Sequence, residues 1–219
     1  MKNIFIILIV LSVIVIWVGD STAQTLNSNQ LQTFMASDFY KGLINRSLTA
    51  IPPNVFQRCP NLASSGSKVT IRQPVSFGTD GFPNAGSWKQ TFPVSGCGND
   101  TILNFYFSAG SDEKINTVIG VPGSTVADIS LQNDAQKYAS TATSLVAKNC
   151  QSFNVKNTRF EGYGLTNPPT PDPGPNKPLR PWWETWTLVG CGRTFDVPID
   201  FVPDKTGTQI IQPRGIIER

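Results

Sequence analysis

The sequence predicts an α+β protein made of two similar units in tandem. Each unit is a helix packed on an antiparallel sheet of about four strands, with one disulfide per unit. Three observations predict it. A Trp-strand–Gly-Cys-Gly run occurs twice, as "GSWKQTFPVSGCG" and "PWWETWTLVGCG". Both copies are followed by residues alternating in hydrophobicity, which is the period of a half-buried strand. Both are preceded by a second Cys and, further upstream, by an apolar pattern at helical spacing.

The two Gly-Cys-Gly triplets align without gaps. Trp88 then falls on Trp182, Thr91 on Thr185, Gly96 on Gly190, Cys97 on Cys191 and Phe107 on Phe201. Phe92 faces Trp186, Val94 faces Leu188, and Leu103 and Phe105 face Val197 and Ile199. Coincidence of Trp, Cys and the downstream alternation predicts a tandem duplication. The units run over residues 24–122 and 123–219.

Residues 1–23 stand apart. Lys2 precedes an almost wholly apolar stretch to Gly19, and Ser21-Thr22-Ala23 offers small residues for cleavage before Gln24. This is the pattern of a secretory signal peptide. The apolar run is shorter than the roughly 20 residues a membrane-spanning helix needs. The expected product is exported, periplasmic or extracellular, with no stable membrane span after cleavage.

Each element then follows in order. In the first unit, Leu31, Phe34, Met35, Phe39 and Leu43 form a helical stripe over residues 28–47, before Pro52-Pro53. Strands are predicted at "KVTIRQPVSF", at the Trp run, at "TILNFYF" and at "INTVIGV". In the second unit the helix lies within "STVADISLQNDAQKYASTATSLVAKN", with Ser124 or Asp128 as its cap and Leu131, Ala135, Tyr138, Ala142, Leu145 and Val146 as its stripe. Its strands are "SFNVKNTRFEGY", the second Trp run, "TFDVPIDFV" and "GTQIIQ". Pro198 cannot donate to a ladder, so its strand is an edge or Pro198 occupies a free position. Each Cys pair brackets a hairpin whose open ends lie side by side, so the expected disulfides are Cys59–Cys97 and Cys150–Cys191.

Strand parity puts Trp88, Phe92, Val94, Trp182, Trp186 and Leu188 on the face under the helix. Gln90 and Glu184 share that parity, which predicts a bulge that turns them out or a place at the rim. Asp196 and Asp200 point opposite to Phe195, Val197, Ile199 and Phe201, onto an expected solvated face.

The chain has no His, which excludes Ser-His-Asp and Cys-His catalysis and His-based zinc sites. Its net charge is +3, and its basic residues are scattered along the sequence, so no nucleic-acid footprint is expected. No cofactor and no metal site is expected. Ser65-Gly-Ser-Lys68 and Lys205-Thr-Gly207 match motifs of penicillin-recognising serine enzymes, but they sit in polar turns rather than at a helix start. Glu184 with Asp196 or Asp200 is the one carboxylate set to weigh for hydrolysis.

The loop at 167–181 holds seven prolines and should be extended and solvated. Trp183 follows it, with Arg180 and Tyr163 nearby. Lys89 stands at the matching place in the first unit, so the fold itself does not require an aromatic at 183. Trp183 either contacts a partner or packs on the loop's prolines or on the other repeat. The candidate binding residues are Trp183, Arg180, Tyr163 and Glu184.

At "VPGSTVADISLQNDAQKYA", Cys150 and "PWWETWTLVGCGRTFDVPIDFVPDKTGT" the chain resembles a group of uncharacterised secreted bacterial proteins. Their pattern is PGxTxADPxLQxDA, a Cys, then PWxExWTVxxCGxxxxVPVxFxPDxxGT. Ile129 stands where that pattern has Pro. The resemblance spans roughly residues 120–210. It implies export and a bacterial envelope setting, with no established activity. In architecture, tandem helix-plus-four-strand units with a disulfide apiece are also similar to secreted β-lactamase inhibitor proteins. The function expected is a non-enzymatic binding or interaction protein acting on an unknown protein or envelope component. The alternatives are a carboxylate-dependent hydrolase of the envelope, and a structural envelope protein or secreted inhibitor.

Overall fold

A computed structural model describes residues 21–57, 63–96, 98–110, 114–164, 180–211 and 215–219. Most of the expected signal peptide, both members of the expected Cys59–Cys97 pair and most of the proline-rich loop lie outside the described residues. The fold is α+β, with three helices and two antiparallel sheets described. No helix among the described residues is long and apolar enough to cross a membrane.

Helices α1 (Ser21–Ala36) and α2 (Asp38–Ala50) open the described chain. One helix was expected here. Ser37 divides it, because its backbone is extended (φ −67°, ψ 153°) and its hydroxyl accepts from the Tyr40 amide as an N-cap. The second helix therefore starts with a new phase, and Tyr40 is buried where Phe39 was expected.

Strands β1 (Ala63–Ser64), β2 (Lys68–Phe77), β3 (Pro83–Gly96), β4 (Asn99–Ala109) and β5 (Ile115–Ile119) form sheet A. β1 and β2 both pair with β3, so the sheet is a meander whose first strand is broken. Helix α3 (Ile129–Val146) follows. Sheet B then comprises β6 (Asn154–Tyr163), β7 (Trp182–Gly190), β8 (Arg193–Pro203), β9 (Thr208–Ile211) and β10 (Ile217–Glu218). Here β9 and β10 both pair with β8, so the last strand is the broken one.

β8 is interior rather than an edge. Pro198 falls between the rungs to β10, at 195–196, and those to β9, at 200–203, a free position in the ladder. The β7–β8 turn is Cys191-Gly192, with φ of 51° and 73°, the double positive φ that suits a two-residue hairpin. Cys191 is bonded to Cys150, with Cα atoms 5.9 Å apart, so the open ends of the β6–β7 hairpin are clasped as expected.

Two cores result. Leu31, Phe34, Tyr40, Trp88, Phe105 and Phe107 lie between α1, α2 and sheet A. Ala135, Ala139, Trp182, Trp186, Val197 and Phe201 lie between α3 and sheet B. Trp88 stacks on Phe107 and Trp182 on Phe201, each pair on facing rungs. Asp128 caps α3 by accepting from the Leu131 amide. The buried side of α3 is Gln132, Ala135, Ala139 and Thr143, about one residue round from the apolar stripe, and Leu145 is 80 % exposed. Polar residues can take the inner face because their bonds are met there. Gln132 donates to Tyr106 Oη and Ala127 O and accepts from Val121 N, and Thr143 donates to Ala139 O.

The segment between the sheets is tied to both. Gly120 N donates to Asn104 O and Gly123 N to Ile102 O on β4. Ser124 N donates to Thr158 O on β6. The Asn104 amide also reaches the carbonyls of Val121 and Gly123.

Candidate functional site

Strand β7 carries two opposite kinds of residue. Trp182, Glu184, Trp186 and Leu188 face the core and are buried, while Trp183, Thr185 and Thr187 face outward and are half-buried. Glu184 is neither turned out by a bulge nor at a rim, and its exposure is 0 %. The alternation explains how a carboxylate survives there. In Trp182-x-Glu184-x-Trp186 two indole N–H groups flank the acid on one side of the strand. Trp182 Nε1 donates to Oε1 at 2.9 Å and Trp186 Nε1 to Oε2 at 2.8 Å. Val126 N, in the approach to α3, donates to Oε1 at 3.0 Å. Glu184 thus pins the α3 approach to sheet B.

Gln90 occupies the corresponding rung of sheet A and is buried too. Its Oε1 accepts from Tyr40 Oη at 2.5 Å, and its Nε2 donates to Ser67 Oγ at 2.9 Å. Trp88 Nε1 donates to the same Tyr40 hydroxyl. Burial pushes that phenol well above its ordinary range. The chemistry dictates the residue: a mixed set of donor and acceptor partners takes an amide, and three donors take a carboxylate.

Asp196 and Asp200 are also buried, so the expected solvated face of β8 is corrected. Asp196 accepts from Thr187 Oγ1 at 2.8 Å and from the Arg219 guanidinium, whose Nε lies at 2.8 Å. Arg219 comes from the far end of the chain, so no local pattern predicts the cover. Both aspartates lie on the side of sheet B opposite Glu184, in register with Thr187 and Trp183. Asp196 and Asp200 therefore do not share a cleft with Glu184. No group of three or more His, Cys, Asp or Glu side chains suited to a metal occurs among the described residues.

The other candidates separate as well. Tyr163 is in register with Trp182, on the core side, and packs edge-on against Phe160. Trp183 is outward, in a row with Gly162 on β6, Asp200 on β8 and Ile211 on β9. Ile211 is 42 % exposed and Arg180 is exposed. Trp183 and Arg180 thus lie away from the core, while Tyr163 and Glu184 lie on its side of the sheet.

Below this row the outer side of β6 is polar. Arg159 donates to Glu161 at 2.7 Å, which raises the guanidinium pKa, and Thr185 donates to the same carboxylate. Where β6 meets sheet A, Thr101 donates to Asn157 across a groove of about 320 Å³ lined by Asp100, Ser124, Thr158 and Arg159. Sequence reasoning also missed Arg72 and Lys89, which both lie over the Tyr106 ring of sheet A, and Lys68 one rung pair away opposite Thr91. Their signal was the shared parity of positions 68 and 70, and of 89 and 91, on neighbouring strands.

No protein-family model matches the chain, and no curated protein or solved structure is significantly similar to it.

Proposed function

We propose that the chain is an exported, non-enzymatic binding protein that contacts a protein or envelope component with the outer surface of sheet B, at Trp183, Arg180 and the proline-rich loop. The observation that carries this reading is Trp183 itself, a large aromatic on the outward side of β7 in a row ending at the exposed Ile211. Aromatics beside less polar neighbours at a surface are the usual anchors of interfaces. The Cys150–Cys191 disulfide supports an oxidising compartment, in keeping with export to the periplasm or beyond.

The same reading holds that the chain arose by tandem duplication, and that Cys59 and Cys97 close the first unit as Cys150 and Cys191 close the second. Support comes from two antiparallel sheets of five strands each, from the equivalent Trp–Phe rungs, and from Gln90 and Glu184 at one position of the pattern. The hydrolase alternative has little to draw on. Glu184 is enclosed and all its bonds are structural, and the aspartates lie across the sheet from it.

The test compares immobilised wild-type protein with a Trp183→Ala variant and a deletion of residues 168–178, all exposed to envelope extract. Each variant is first checked for an unchanged melting curve. A specific partner retained by wild type and lost by both variants is expected. The same partners bound equally by all three would discard the assignment.

A further inference from the structure

The outward face of sheet A gathers cations that lie far apart in the chain. Lys68 and Thr70 on β2 are in register with Thr91 and Lys89 on β3. Lys89 is in register with Tyr106 on β4. Lys89 Nζ and the Arg72 guanidinium both lie over the Tyr106 ring, 5.2 and 5.8 Å from its centroid. An aromatic face attracts each cation, but it cannot cancel the repulsion between two.

The acids nearby are already committed. Glu184 accepts three hydrogen bonds in the core, and Asp128 caps α3. Among the described residues no carboxylate forms an ion pair with Lys68, Arg72 or Lys89. Burial, and then Arg72, push the Lys89 ammonium pKa down, with Glu184 pulling weakly the other way. An incoming anion would offset both costs.

Lys68 and Lys89 border a shallow depression of about 230 Å³ that the Gly123–Thr125 segment closes on the other side, with Thr70, Thr91 and Asn104 in its walls. Of its hydroxyls, Thr91 donates to the Lys68 carbonyl. Ser124 Oγ accepts from Phe160 N, which leaves its own proton free to turn inward. The volume is below the roughly 300–1,000 Å³ of pockets for drug-sized ligands.

We propose that this depression binds a small ligand through an oxyanion, a phosphate or carboxylate group held between Lys68 and Lys89 with hydrogen bonds from Thr70 and Ser124. The site is on sheet A, apart from the Trp183 surface, and stands independently of the function proposed above. Two ammonium groups suit such an anion as point charges, and Arg72, over the Tyr106 ring beside Lys89, adds to the positive field.

The experiment is a titration of the ¹⁵N-labelled protein followed at the backbone amides of Thr70, Lys89, Ser124 and Thr125. Inorganic phosphate is one arm, malonate the second, and sodium chloride at matched ionic strength the control. Saturable shifts confined to these amides are expected with phosphate or malonate and not with chloride. The tighter arm identifies the headgroup. Lys89→Gln should weaken binding at least tenfold, and Lys68→Gln, at an exposed position, should weaken it several-fold with the rest of the spectrum unchanged. Shifts that follow chloride equally, or an affinity untouched by both substitutions, would overturn the proposal.

Discussion

Replacing Glu184 with Gln changes almost nothing in size and tests the reason for its charge. The carboxylate accepts from Trp182 Nε1, Trp186 Nε1 and Val126 N, and it is fully enclosed. An amide offers one oxygen and one NH₂. Whichever way it is oriented, the NH₂ faces an indole or backbone N–H, so at least one buried donor loses its acceptor. An orphaned buried donor costs about 1–3 kcal/mol. For a chain of this length that corresponds to a fall of roughly 2–12 °C in Tm. Removing a buried charge works the other way, because the desolvation cost of the carboxylate disappears with it. The bonds should prevail, because both oxygens are fully matched to donors in the folded protein. Thermal melting followed by far-UV circular dichroism reads the change in midpoint. A Glu184→Gln protein as stable as wild type, or more so, would refute the claim that a donor-only environment selects the carboxylate.

Replacing both Cys150 and Cys191 with Ala opens a loop of 41 residues. The chain-entropy model puts the loss at about 4 kcal/mol, to be read from urea midpoints. Gly123→Ala should destabilise strongly. Gly123 has φ of 108°, and a Cβ there would lie 2.0 Å from the Thr158 carbonyl oxygen, so the β4–β6 connection must break; hydrogen exchange at Gly123 and Ser124 checks it. Asp204, between β8 and β9, is held down to about 2 by bonds from the Thr206 hydroxyl and amide, Gln209 and Gly207. A depressed carboxyl stabilises above its unfolded pKa and stops doing so as pH falls through the folded value. The β8–β9 turn should therefore be intact at pH 5 and loosen between about pH 4 and 2, as followed by the Thr206 and Gly207 amide shifts.

Much of the architecture was legible because it rests on local periodicity. β2 occupies the run "KVTIRQPVSF", and the Trp strands bury the side that parity assigned. The errors share a physical cause, which is that a polar residue was assumed to seek water. Gln132 and Thr143 turned α3 about one residue from its apolar stripe, and Glu184 and Gln90 are interior. For Glu184 the signal was present, since Trp-x-Glu-x-Trp sets two donors beside the acid. Asp196 carried no such signal, because its partner Arg219 is remote in sequence. Ser37 in "MASDFY" is a cap followed by an acid, and it could have been read as a helix start. Of the candidate site, the outward direction of Trp183 was readable, whereas the split from Tyr163 depended on β6 register shifts near residues 156 and 161.

The strip from Gly120 to Ser124 is knitted on one flank to β4 and on the other to β6. It acts less as a tether than as a seam, and a seam dictates where the cloth can be cut. A piece ending at residue 119 would expose the amide of Asn104 and the carbonyls of Ile102 and Asn104. A piece beginning at 125 would leave the Thr158 carbonyl without its donor. An engineer who wants either half by itself must therefore let that half keep the whole strip, and a foreign sequence spliced there would pry two sheets apart at once.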